Sequence, residues 1–109
     1  QAGAWRGRLG KQIVTLPAGA WPPEAHVAFG ASEVILAASD QAETSVRNRW
    51  RGRIIAVDDI DGRIFVAVDI GQTIWAEITP DALRALSLSP GADVVCLVKA
   101  AAMRAVTPG

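Results

Sequence analysis

Gly52-Arg53-Ile54-Ile55-Ala56-Val57-Asp58-Asp59-Ile60-Asp61-Gly62-Arg63-Ile64-Phe65-Val66-Ala67-Val68 reads as two β-branched strands around a tight turn. Ile and Val crowd both sides of the turn, and branched side chains suit a pleated, half-buried surface. Asp61-Gly62 is a strong hairpin signal, since a two-residue turn of this kind needs positive φ at its centre. Gly71-Gln72 makes the next turn. Thr73-Ile74-Trp75-Ala76-Glu77-Ile78 then alternates with period two, which puts Ile74, Ala76 and Ile78 on one face. The expectation is a three-strand meander.

After the meander the period changes. Thr79-Pro80-Asp81 is a helix start, with Thr as N-cap, Pro at the first helical position and Asp against the positive end of the dipole. This short helix should turn Leu83 and Leu86 inward and end before Ser89-Pro90-Gly91. Asp93 to Val98 is a near-continuous apolar run, as expected of a strand buried on both faces. Met103 to Val106 is read as a short final strand. Three strands, a short helix and two more strands give an all-β fold, an OB-like five-stranded barrel with one short helix. Upstream, Ile13 to Leu16, His26 to Phe29 and Val34 to Ala37 read as additional N-terminal strands, interrupted by Trp21-Pro22-Pro23.

Composition sets the limits of function. At 109 residues the chain is one domain by length, small enough to gain from oligomerisation. Lys and Arg balance Asp and Glu at 11 each, which argues against general binding of polyanions. Cys96 is the single cysteine, so no internal disulfide or cysteine-rich zinc site is available, and its apolar setting makes it a small buried hydrophobe. No apolar run approaches the roughly 20 residues that span a bilayer. The chain opens on Gln1 with no signal peptide, and its one methionine is Met103, so we expect a piece of a longer protein.

Just before the meander, Thr44-Ser45-Val46-Arg47-Asn48 gathers a hydroxyl, a guanidinium and an amide where irregular chain meets a sheet. Such donors can surround a small oxyanion. At the far end, Leu97-Val98-Lys99-Ala100 closes an apolar run with one lysine. Ser45-x-Arg47-Asn48, Gly52, Ala76-x-Ile78-Thr79 and Val98-Lys99-Ala100 occur in an order that resembles the molybdate-binding Mop/TOBE family. That family includes molybdate-storage proteins, sensor domains of molybdate-responsive regulators and C-terminal domains of molybdate importer ATPases. The resemblance covers residues 44–107. Leu16-Pro17-Ala18-Gly19, His26 to Phe29 and Glu33 to Ala37 are similar to the segment that links the nucleotide-binding domain of an ABC importer ATPase to its terminal TOBE unit. Residues 1–43 are accordingly expected to be a linker or partial barrel.

The resemblance implies an oxyanion site made by Ser45, Val46, Arg47, Thr79, Lys99 and Ala100. Ser45 would give its hydroxyl, Arg47 and Lys99 charged hydrogen bonds, and Val46 and Ala100 backbone N–H groups. Two cations against molybdate or tungstate leave the filled site near neutral, which matters because an unpaired buried charge is costly. With about 1.5–3 kcal/mol for each charge-assisted bond, a handful would give micromolar affinity or better. No metal cation is needed, and the site would bind without catalysis. Further implied are a homodimer, contact with the ATPase domain of the same parent chain and, through it, a membrane permease, and a cytoplasmic place at the inner membrane.

Each residue also has a plainer role. Ser45 can cap a turn, Arg47 and Lys99 can be solvated charges, and Thr79 can serve as a helix cap only. Asn48 is read as structural, holding a bend before Gly52 through side-chain to backbone bonds. Arg47, Arg49, Arg51 and Arg53 would share one face of an extended segment, and with Trp50 they could imitate a single-strand nucleic-acid surface. The chain has no Tyr, however, and Phe65 sits in an apolar strand, so we read the arginines as solvated or paired with Asp58, Asp59 and Asp61. His26 stands alone, leaving no histidine metal cluster or triad. Gly7-Arg8-Leu9-Gly10-Lys11 fails as a phosphate loop, because Trp5 replaces its first glycine and Gln12 its hydroxyl. Trp75 points away from Ile74 and Ile78, toward a second layer or a partner, and Trp50 would line the site or seal a subunit contact. The competing reading is a structural, dimerising TOBE module of an ABC ATPase that holds no oxyanion.

Overall fold

The computed structural model describes residues 4–9, 12–17, 26–38 and 48–106. In chain order the strands are β1 (Ala4–Leu9), β2 (Gln12–Pro17), β3 (His26–Ala28), β4 (Ile35–Ala37), β5 (Asn48–Ile60), β6 (Arg63–Asp69) and β7 (Thr73–Ile78). The helix α1 (Pro80–Ala85) follows, then β8 (Asp93–Val98) and β9 (Arg104–Val106). Two 3₁₀ turns, Ala31–Glu33 and Ala100–Ala102, lead into β4 and β9.

β5, β6 and β7 form the expected antiparallel meander. Asp61 and Gly62 both have positive φ, 53° and 83°, which is the two-residue hairpin turn whose twist suits the flanking strands. Asp59 Oδ1 accepts from Gly62 N at 2.9 Å and braces that turn. On β6, Ile64, Val66 and Val68 face the core, matched on β7 by Ile78, Ala76 and Ile74.

β5 is longer than the sequence suggested, running unbroken through Gly52 rather than bending there. Gly52 is needed for close approach. A Cβ on it would lie 2.6 Å from Val68 Cγ1, 2.8 Å from Asp69 O and 2.9 Å from Ile70 Cγ2. Farther along, the register slips by one residue between Ile54 and Ala56. This bulge leaves Ile54 inside and Ile55 outside, and it brings Val57 back toward the core.

The five-stranded sheet has the order β4-β8-β5-β6-β7, and β7 lies against β4 and the turn before it, so the sheet curls toward a barrel. Its fifth strand is thus β4, from the upstream segment. The final strand β9 pairs with β3 instead. Long-range pairing of this kind has no local signature, whereas the alternation of Val34 and Leu36, both buried, marks β4 as a sheet strand. β1 and β2 pair as a separate hairpin.

α1 begins as its sequence demands, with Thr79 extended as N-cap and Pro80 in the first turn. Leu83 and Leu86 pack on the core. β8 is buried along both faces: Val94, Cys96 and Val98 enter the main core, while Val95 and Leu97 pack with Ala37 on the other side. Among the described residues no helix is long and apolar enough to cross a membrane.

Candidate oxyanion site

Of the candidate residues, Lys99 and Ala100 directly follow β8, which pairs with β5. Asn48 stands opposite Val98, and Trp50 opposite Cys96. Asn48 is 1 % exposed, the one polar residue fully within the core among the described residues. A buried amide is costly unless bonded, and Asn48 Nδ2 donates to Val98 O at 3.1 Å. The carbonyl it holds belongs to the peptide link into Lys99. The amide therefore fixes where β8 ends and does not shape a bend before Gly52.

Lys99 follows as an exposed residue with extended backbone (φ −69°, ψ 139°), and its carbonyl accepts from Ala102 N at 3.0 Å. Half-buried Ala100 opens the 3₁₀ turn, and its carbonyl accepts from Met103 N at 3.0 Å. The Ala100 N–H makes no bond within that turn. Thr79 is exposed at the end of β7, and its Oγ1 accepts from Ala82 N at 3.1 Å. The cap role is thus occupied, while a hydroxyl that accepts still carries one proton to donate. Ser45, Val46 and Arg47 lie outside the described residues.

Trp50 is buried in the core and not on the surface of the chain. It is 1 % exposed, with its ring centroid 5.9 Å from that of Phe29 and the two planes at 44°. Strand alternation explains this: Asn48, Trp50 and Ile54 point in, so Arg49, Arg51 and Arg53 point out. Trp50 is therefore not on the arginine face and cannot stack with single-stranded bases there. Arg53 Nε lies 3.6 Å from Asp93 Oδ1 on the paired strand, and not with the acidic hairpin cluster. On the outer face of β6 and β7, Arg63 grips Glu77 by two hydrogen bonds, 2.8 and 2.7 Å, and lies 5.2 Å from the Phe65 ring centroid. That pairing raises the Arg63 pKa and lowers the Glu77 carboxyl, chiefly through the side-chain hydrogen bond between them.

Cys96 is wholly buried, and burial pushes its thiol up to about 12. It is unreactive at neutral pH, since the thiolate is the nucleophile. Among the described residues no three His, Cys, Asp or Glu side chains are placed to hold a metal ion. The role sequence reasoning missed is that of Asn48. A lone amide ahead of a Trp-containing strand was its only local signal.

A family model described as the TOBE domain matches residues 44–105, more than half the chain. The chain belongs to the TOBE domain family. Its relatives include the molybdenum import ATP-binding protein ModC of Escherichia coli (strain K12), 32% identical over 76 residues. The alignment covers 69% of this chain and 22% of that protein. The ModC protein of Salmonella choleraesuis (strain SC-B67) is 34% identical over 76 residues, with the same coverage of 69% and 22%. This TOBE domain therefore spans about a fifth of the length of the relatives it matches. In three dimensions it resembles a molybdate-bound crystal form of the cytoplasmic molybdate-binding protein ModG, with a TM-score of 0.72. That likeness covers 89% of this chain and 74% of the other at 24% identity, and it speaks to fold.

Proposed function

We propose that this TOBE domain binds a tetrahedral oxyanion, molybdate or tungstate, and regulates the ATPase subunit of an ABC importer for that anion. Residues 44–107 make the binding domain. Residues 1–43 join it to the ATPase domain, with β3 and β4 laid against the binding domain's strands. The site is Ser45, Val46, Arg47, Thr79, Lys99 and Ala100, completed in a homodimer. Through the ATPase domain the unit sits at a permease on the cytoplasmic side of the inner membrane.

The observation that carries this reading is the register of β5 on β8. Asn48 and Val98 are cross-strand partners, Arg47 is bonded to the first and Lys99 to the second. One peptide link spans about 3.8 Å, so both cations attach to the sheet at one place. Two positive charges, one on Arg47 and one on Lys99, match one dianion. The importer branch is supported by ModC, whose name assigns it molybdenum import and ATP binding. ModG, by its own description, binds molybdate on a similar fold.

Binding becomes regulation only if the anion prefers one arrangement of the attached ATPase domains over another. In the test, Arg47→Ala and Lys99→Ala each abolish calorimetric molybdate binding while the far-ultraviolet spectrum and melting temperature stay at the parent's values. Retained affinity in both variants would sink the assignment. The half-exposed Trp75 and Ile35 favour a second reading, in which the domain is an assembly module. Equal dimerisation with and without molybdate would support it.

A further inference from the structure

We infer that Asn48 is a positioning residue for the oxyanion site, a role that rests on the binding function proposed above. Its side chain is an exception in the core. The other buried residues of the core are apolar, Trp50 on the same strand and Val98 opposite among them, and an apolar side chain at this position would avoid burying an amide. The amide is nevertheless satisfied, by a bond across the sheet to residue 98, fifty positions away in the chain. Its acceptor is the carbonyl of the Val98–Lys99 peptide. Holding that oxygen sets the rotation of the whole planar unit, which includes the Lys99 N–H and the Lys99 Cα.

From Lys99 the chain turns at once into the 3₁₀ turn, where Ala102 N returns to Lys99 O and Met103 N to Ala100 O. Met103 is itself buried and anchors the far side of that turn in the core. The Lys99-Ala100 corner is therefore pinned twice, by Asn48 before it and by Met103 after it. Asn48 is also the residue peptide-bonded to Arg47. One buried amide thus ties the strand end that carries one cation to the strand that follows the other. Loosening it leaves the barrel its apolar core but removes one of the two anchors of the Lys99-Ala100 corner. A binding site of fixed geometry loses affinity when its supporting bonds are left to chance.

The experiment compares molybdate binding by the full 109-residue chain, by Asn48→Val and by Asn48→Thr. Val removes the amide in a strand-compatible shape, and Thr is nearer in volume to Asn, so a folding failure in one leaves the other readable. Ile74→Val, a core change near the start of β7 and on neither strand of the Asn48–Val98 pair, controls for lost stability, with titrations run well below every melting temperature. The expected result is affinity weakened about tenfold or more in both Asn48 variants and unchanged in the control. Amide exchange at Lys99 through Met103 should quicken in the Asn48 variants before any anion is added. If the parent chain binds molybdate and the Asn48 variants bind equally well, the positioning role is overturned while the oxyanion reading stands. No binding by the parent chain overturns the oxyanion reading and the positioning role with it.

Discussion

Replacing Gly52 by Ala tests the packing on which the site's framework depends. The added methyl carbon would stand 2.6 Å from Val68 Cγ1, 2.8 Å from Asp69 O and 2.9 Å from Ile70 Cγ2. None of these can step aside cheaply. Val68 and Ile70 are 0% and 2% exposed, locked among other core side chains, and the third neighbour is backbone. β5 and β6 must therefore part locally, just where Gly52 lies between its β8 partner Val94 and the end of β6. Overpacking of a dense core costs about 1–3 kcal/mol, and a displaced backbone carbonyl puts this case at the upper end. Restricting the unfolded chain returns about 0.4–1 kcal/mol, which leaves a net loss of about 2 kcal/mol. For a chain of this size that lowers Tm by about 8–16 °C. Circular dichroism melts and urea titrations of Gly52→Ala should both show it, with an unchanged urea slope. A Tm within about 3 °C of the parent would refute the close-approach argument, since the loss would then be less than about 1 kcal/mol.

Thr79→Ala should cost about 1 kcal/mol by freeing Ala82 N from its cap, and Thr79→Ser should recover most of it; equal melting of the two variants would show that the cap holds nothing. Cys96 makes stability fall at high pH. In the unfolded chain its thiol titrates near 9.0 and in the folded chain near 12, so the unfolded state loses its proton first and Tm declines as pH rises through that window. Cys96→Ala should flatten that decline, and an unaltered slope would assign it to other groups.

The sequence announced those features that follow from local chemistry. The Asp61-Gly62 hairpin, the alternation of Ile74, Ala76 and Ile78, the Thr79-Pro80-Asp81 start and the doubly buried run from Val94 to Val98 each occupy a few consecutive residues. Features that depend on distant partners stayed hidden. β4 joins β8 by pairing Ile35 with Leu97, sixty-two positions on, and nothing near residue 35 names that partner. The bulge at Ile55 shows only as a phase change between Ile54 and Val57. Trp50, flanked by arginines, looked like a surface aromatic, yet strict alternation sends it inward while its neighbours face out.

At the site, the legible part was chemical and the hidden part geometrical. Lys99 is legible as a lysine that closes an apolar run, and Thr79 as a helix cap. The bond from Asn48 to Val98 O could not be foreseen, because register is set by the whole sheet. Sequence also left the purpose of Gly52 open. A glycine within a β-branched run signals either a turn or a close contact, and only the position of Val68 and Ile70 decides for contact.

The most direct test of the central claim is calorimetric titration of the domain with sodium molybdate, alongside sulfate in equal excess. The domain should bind molybdate saturably with micromolar or tighter affinity and respond little to sulfate. The absence of both heat and thermal stabilisation with molybdate would contradict that claim, and would leave the domain to be understood as an assembly module.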